Sequence, residues 1–309
     1  MSNKDTTSNP TGLSLYLRAA ERASSEVIRT YSTSFGLASK LLAPPVRRHV
    51  ENIYALVRVA DEVVDGSAAE AKATGGSVDP NGSLNDLERE TYRSLDERFS
   101  TNLIVHAFAH TANTCGFGRD IIRPFFESMR MDLWKSRHDQ RSFEQYVYGS
   151  AAVIGLEMVP ILGALSDDAY ESAKKLGIAF QLANFIRDVG EDLDRGRIYL
   201  PLDELAAHGV GEKMLYARVL TPEIIQALKF QIARVRQLQA EAAPGIDLLH
   251  ATSRPCIRAA SELYCGIVDE VEAIGYDIFN KRAKTSTARR LRVAGKAYIQ
   301  ALSARRALD

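Results

Sequence analysis

The sequence predicts an all-α chain folded as a single domain. Three observations carry this: apolar residues recur at helical spacing along most of the chain, no segment alternates apolar and polar residues as a half-buried strand would, and no internal repeat is present. Residues 13–29 place Leu13, Leu17, Ala20, Val27 and Ile28 on one helical face, and Pro44 and Pro45 punctuate the chain after a short second helix. Residues 46–65 form the next helix, with Val50, Ile53, Val57 and Val64 on its buried side. Residues 66–83 are rich in Ala, Gly and Ser with almost nothing large and apolar, and read as an exposed loop. Helical periodicity resumes at Leu84. Ser166, Asp167 and Asp168 suit the cap and first turn of a long helix reaching about Asp192. The stretch DRGRIYLP, from Asp194 to Pro201, should leave the helix. Two more long helices follow, over about 222–243 and 254–276, and a basic helix begins near Ser286.

Composition bounds the rest. With 309 residues, 46% apolar and 25% charged, the chain is an ordinary globular protein, large enough to enclose a deep pocket. Length alone would allow two domains; the reading here is a disordered polar tail over 1–12 and one domain over 13–309. A formal net charge of zero gives no overall field to attract nucleic acid, which is not expected as a partner. Cys115, Cys256 and Cys265 are an odd and widely spaced set, read as reduced thiols. The six histidines show no metal-ligand spacing. The N-terminus carries no apolar signal segment, and the longest apolar stretch, 151–165, is interrupted by Glu157 and Pro160. That is short of the roughly 20 residues a membrane span needs. The expected location is the cytoplasm, with peripheral contact at the inner face of the membrane as an option.

Two constellations carry chemistry. In YALVRVADEVVD, Asp61 and Asp65 are four apart and share a helix face, as do Tyr54 and Arg58. In QLANFIRDVGED, Gln181, Asn184, Asp188 and Asp192 line one face of one helix, with Arg187 beside them. Like charges at this spacing repel by roughly 0.2–0.5 kcal/mol, which a solvated face tolerates, so either pair alone is weak evidence. Their recurrence, their apolar flanks and their neighbours shift the balance. Arg58 and Arg187 are forks for phosphate oxygens, while Tyr54, Asn184 and Gln181 are neutral donors. Facing helices would present four carboxylates to one cavity, a setting for a hard cation bridging carboxylate and phosphate. Magnesium, or manganese in its place, is the expected metal. It would neutralise a departing diphosphate, and a dry apolar pocket would shield the carbocation left behind.

At these residues the chain resembles the squalene/phytoene synthase family, most closely its bacterial phytoene-forming branch. The resemblance runs from about Tyr31 to Leu291 and rests on YSTSFGLASKLL, YALVRVADEVVD, MRMDLWKSR, YVYGSAAVIG, QLANFIRDVGEDLDRGRIYLP, SELYCGIVDEVE and NKRA, in that order. It implies an isoprenoid-synthase helical bundle around a central cavity. The reaction implied is a head-to-head joining of two prenyl diphosphates through a cyclopropylcarbinyl diphosphate. Carried over residue by residue, Asp61, Asp65, Asp188 and Asp192 are the catalytic metal ligands, with Asn184 in the metal shell. Ser34, Phe35, Tyr54, Arg58, Tyr146, Gln181, Asn184, Arg187, Tyr264 and Arg282 bind substrate or the metal shell, and Arg197 and Tyr199 lie on a flap after the second motif. Two departures stand out: Glu62 replaces a second Asp found in many relatives, and Ala152 replaces a frequent Gly.

The resemblance points to geranylgeranyl diphosphate as substrate and a forty-carbon product, with farnesyl diphosphate and squalene or dehydrosqualene as the alternative. A non-catalytic assembly protein of the same fold is the lesser one, weakened by the complete aspartate motifs. Prenyl tails are expected past Gly36, Ala38 and Ser39 and along Ser150, Ala151 and Ala152. Gly116-Phe117-Gly118 lacks the strand and third glycine of a dinucleotide loop, so no nucleotide cofactor is expected. Tyr146 and Tyr148 could equally be interface tyrosines, the small run 149–155 could be close helix packing, and Trp134 reads as core or cover. The basic terminal helix, with Arg289, Arg290, Arg292 and Lys296, is either a solvated face or a contact for anionic lipid. Downstream carotenoid enzymes are the other partner class the resemblance implies.

Overall fold

The computed structural model describes residues 11–32, 36 and 38–307. Ser34 and Phe35 therefore lie outside the described residues. The described chain is helical throughout, its one extended feature a single parallel bridge between Arg137 and Ile198. Helix α1 spans Gly12–Tyr31, capped by the Thr11 side chain accepting from Ser14 N, and α2 spans Pro44–Asp65 with its prolines in the first turn, where no N–H is needed. The 66–83 segment is not simply a loop. It contains a short exposed helix, α3 (Ser67–Ala73), and the start of α4 (Pro80–Glu97). Alanine-rich sequence can form a helix with no apolar stripe to announce it.

Next come α5 (Leu103–Cys115) and α6 (Arg119–Met131), separated by Gly116, whose positive φ of 78° ends α5, so the Gly-Phe-Gly stretch is a helix stop. Helix α7 (Gln140–Val147) runs through a π-helical turn, Tyr148–Ala152, into α8 (Val153–Ile161). Gly149 in that turn lies so close to the Pro124 carbonyl and the Ser128 hydroxyl that no Cβ fits. Helix α9 (Asp168–Asp194) is the axis of the fold. It packs against α8, the π turn, α12 (Pro222–Ala242), the 3₁₀ turn Ala243–Leu248 and α13 (Arg254–Cys265). Between α9 and α12 come α10 (Leu202–Ala207) and α11 (Glu212–Ala217).

The helix expected over 254–276 breaks at Gly266, giving α13 and α14 (Ile267–Ala273). The Arg289 guanidinium fills the space a side chain would need there and donates to Gly266 O at 3.3 Å. Helix α15 (Thr287–Arg306) closes the chain, capped by Ser286. Trp134 is neither core nor cover: it is 70% exposed, in the turn after α6.

Two apolar clusters flank the middle of the molecule. One joins α9, α12 and the segment after α9; the other joins α2, α5, α6 and α8. Glu157 of α8 is 2% exposed, and its Oε2 has no hydrogen-bond partner among the described residues. Burial alone pushes its carboxyl up to about 8. The folded protein thus binds a proton there that the unfolded chain releases above about pH 4.5, so this group's stabilisation is complete below that pH and is lost as pH rises toward 8. Glu157→Gln is expected to flatten the fall of stability over that window, by up to about 1.4 kcal/mol per pH unit. Urea unfolding of both proteins across the window checks this; parallel curves would mean that the carboxyl has found a partner.

Candidate active site

The two aspartate pairs face each other across one polar chamber. Asp61 and Asp65 enter it from the end of α2, and Asp188 and Asp192 from the end of α9; Arg58, Glu62, Gln181, Asn184, Arg187, Tyr146 and Tyr199 complete its walls. Below it lies a mainly apolar cavity of about 1450 Å³ including its mouth. Ser150, Gln181 and Asn184 border both spaces, so the chamber and the cavity lie side by side along these three residues. On α9 the positions from Ala169 to Asn184 that face the cavity recur at helical spacing and run for about 22 Å. From the other side Ser150, Ala151, Ile154 and Gly155 line it, while Ala152 turns away into full burial. The small run 149–155 thus combines the two alternative readings: Gly149 and Gly155 pack against neighbouring backbone, while Ser150 and Ala151, but not Ala152, line the cavity.

Electrostatics explain why these carboxylates tolerate one another. Burial, then the neighbouring Asp65, pushes Asp61 up to about 7, with Arg58 pulling the other way. Burial, then Asp188, likewise raises Asp192 to about 7. The remaining acids are held by cations. Arg197 pairs with Asp65 and donates to the Asp132 carbonyl at 3.0 Å; Arg187 donates to Asp188 through Nε at 2.7 Å. Arg282 reaches Asp188 at 3.1 Å and Glu191 at 3.2 Å from the rim. Arg58 pairs with Glu62 and lies 4.3 Å over the Tyr31 ring. Glu62 is thus the partner of the first-motif arginine.

The site residues do not all share one environment. Tyr54 and Tyr264 line the apolar cavity rather than the polar chamber, and Tyr264 stacks on Phe180 with ring centroids 5.0 Å apart. Phe180 holds the Tyr264 ring in the cavity wall, with the charge of the chamber residue Arg187 acting on its hydroxyl. Asp132 was missed in the sequence. It is 8% exposed and accepts hydrogen bonds from the Tyr146 and Tyr199 hydroxyls, each at 2.8 Å. Burial, then Asp65, raises its carboxyl to about 6. A lone acid in the apolar run MRMDLW was the available signal. Tyr199 also stacks on Phe185 at 4.4 Å, so the flap after α9 is seated by ring packing and by the Arg137–Ile198 bridge.

Among the described residues, no three His, Cys, Asp or Glu side chains already converge as a metal cluster. The donor set still fits a magnesium ion, which takes one or two carboxylates and fills its shell with water and phosphate oxygen. Asn184 Oδ1 is buried at the chamber border with no hydrogen-bond partner among the described residues, an acceptor left unsatisfied where a metal or its water would be a partner. No helix among the described residues is long and apolar enough to cross a membrane.

An all-helical bundle whose facing carboxylates crown an apolar cavity defines an isoprenoid-synthase type of protein. The chain belongs to the squalene/phytoene synthase family, whose model matches residues 28–289. It is 36% identical over 305 residues to phytoene synthase 2 of Solanum lycopersicum, spanning 95% of this chain and 94% of the relative. It is also 36% identical over 303 residues to phytoene synthase 1 of Arabidopsis thaliana, spanning 95% and 69%. The fold matches the crystal structure of a dehydrosqualene synthase with ligand at a TM-score of 0.81 and 23% identity, over 94% of this chain and 99% of that one.

Proposed function

We propose that this chain is a phytoene synthase, condensing two geranylgeranyl diphosphates head to head through a cyclopropylcarbinyl diphosphate to phytoene; each of the two stages releases one diphosphate and one proton. The observation that carries the reading is the polar chamber with four aspartates set against a deep apolar cavity along Ser150, Gln181 and Asn184. The relatives' names supply the chain length. Magnesium held by Asp61, Asp65, Asp188 and Asp192, with Asn184 Oδ1 and phosphate oxygens, would neutralise charge on the departing diphosphate. Arg58, Arg187 and Arg282, with Gln181, bind and orient the diphosphates. Tyr146 and Tyr199, held by Asp132, fix the roof over the reacting carbons, and Tyr54, Tyr264 and Phe180 wall the cavity against water. Ser34 and Phe35 belong to this reading by resemblance alone. No nucleotide takes part, since the forty-carbon product needs no reduction. A product insoluble in water suits action in the cytoplasm close to a membrane, beside the carotenoid enzymes that consume it.

Mass analysis of the hydrocarbon formed from geranylgeranyl and from farnesyl diphosphate, each with and without NADPH, tests the assignment. A forty-carbon product independent of NADPH is expected. A strong preference for farnesyl diphosphate would move the chain to the thirty-carbon branch, and a wild type inert on both would remove the enzymatic reading.

A further inference from the structure

Helix α15 is one-sided in charge within a chain of zero net charge: residues 287–306 carry Arg289, Arg290, Arg292, Lys296, Arg305 and Arg306 and no acidic residue. Its inner face, Val293, Ala297 and Ala301, is buried, and the helix packs on α13. Its outer face is not the polar surface that a solvated helix shows. Leu291 is 69% exposed, Tyr298 56% and Ile299 66%. At 3.6 residues per turn, Leu291 and Tyr298 fall on one line with Ile299 beside it, and exposed Arg292 and Lys296 border that apolar band on the Ile299 side. Arg289 is engaged inward with Asp269 and Glu270, whereas Arg292 and Lys296 make no ion pair among the described residues.

We infer that this outer face of α15 docks the protein on an anionic lipid surface. Large apolar side chains bordered by unpaired cations, with no acid between them, match the acyl–headgroup boundary of such a membrane. Nucleic acid would leave Leu291 and Ile299 without a partner. A second copy meeting the same face across a two-fold axis would bring Arg292 and Lys296 against their own kind. The position in the fold suits the contact. The other side of α13 supplies Cys256, Ile257 and Ala260 to the apolar cavity, and Arg305 Nη2 donates at 2.8 Å to Leu41 O, next to cavity-lining Leu42. A membrane on α15 would thus lie one helix away from the space proposed for the prenyl chains. The contact itself does not depend on the proposed reaction; only its use in delivering product does.

Flotation of the full chain with vesicles tests this, using phosphatidylcholine alone and phosphatidylcholine mixed with phosphatidylglycerol. Wild type is expected to float with the anionic vesicles and to lose binding as salt is raised. The doubles Leu291→Glu/Ile299→Glu and Arg292→Glu/Lys296→Glu are each expected to bind at least about tenfold less, with unchanged melting temperature and unchanged hydrocarbon formation in detergent. Either double floating like wild type, or a wild type that stays unbound, overturns the inference. A dimer in sedimentation that the same doubles dissociate overturns it in favour of an interface between copies. A wild type that floats yet makes no hydrocarbon would sink the proposed function and leave the docking face standing.

Discussion

Asp61→Ala is expected to lower turnover at least about a thousandfold, some 4 kcal/mol of transition-state stabilisation, with the fold intact. Burial and Asp65 already oppose the charge on this carboxyl, so its removal relieves a repulsion and leaves no cation without its hydrogen-bonded partner. Asp188→Ala should match the loss of turnover but differ in stability. Asp188 accepts from both Arg187 and Arg282, and Arg187 is largely sheltered, so its guanidinium would lose its hydrogen-bonded carboxylate and keep only the more distant charge of Glu191. Truncating one side of such a pair leaves a poorly compensated cation. Turnover with saturating magnesium and a melting curve on each variant separate the two. Either variant retaining more than about a tenth of wild-type turnover would be too mild for a metal ligand.

The second large effect is on chain length. Ser39 is 3% exposed, lines the apolar cavity and donates to Gly36 O at 3.0 Å. Ser39→Phe adds a ring where the cavity holds space, so the longer diphosphate loses room before the shorter one does. The ratio of kcat/KM for geranylgeranyl over farnesyl diphosphate is expected to fall at least about tenfold, roughly 1.4 kcal/mol of discrimination. Equal loss on both substrates with a lowered melting temperature would mean that the ring has pressed into a neighbouring helix. A well-folded variant with an unchanged ratio would remove the tail from this wall.

The sequence reveals what is local and periodic. The spacing of Asp61 with Asp65, and of Gln181, Asn184, Asp188 and Asp192, announces two helix faces, and the structure brings them to one chamber. Ser286 and the basic run after it mark α15 to within a residue. Partnerships between distant segments leave no such trace. Arg197 pairs with Asp65 across 132 positions, and nothing in RGRIYLP names its partner. Asp132 has no acid four residues on, so it escapes a search built on pairs, although it holds two tyrosines from two other segments. The break at Gly266 depends on Arg289, twenty-three residues later, filling the gap. Trp134 reads as core or cover in the sequence, but the turn after α6 leaves it 70% exposed.

The π-helical turn at Tyr148–Ala152 acts as a phase shift in the wall of the site. One residue of an α-helix corresponds to a rotation of about 100°, and a π turn accommodates one residue more than the α-helix around it. Tyr146, before the turn, aims at the polar chamber, whereas Ile154 and Met158, after it, aim at the apolar cavity. One continuous helical rod thereby serves two compartments of opposite polarity without a loop at their boundary. Its apolar positions follow two separate helical registers, and the shift between them falls where diphosphate chemistry would give way to the hydrocarbon tail.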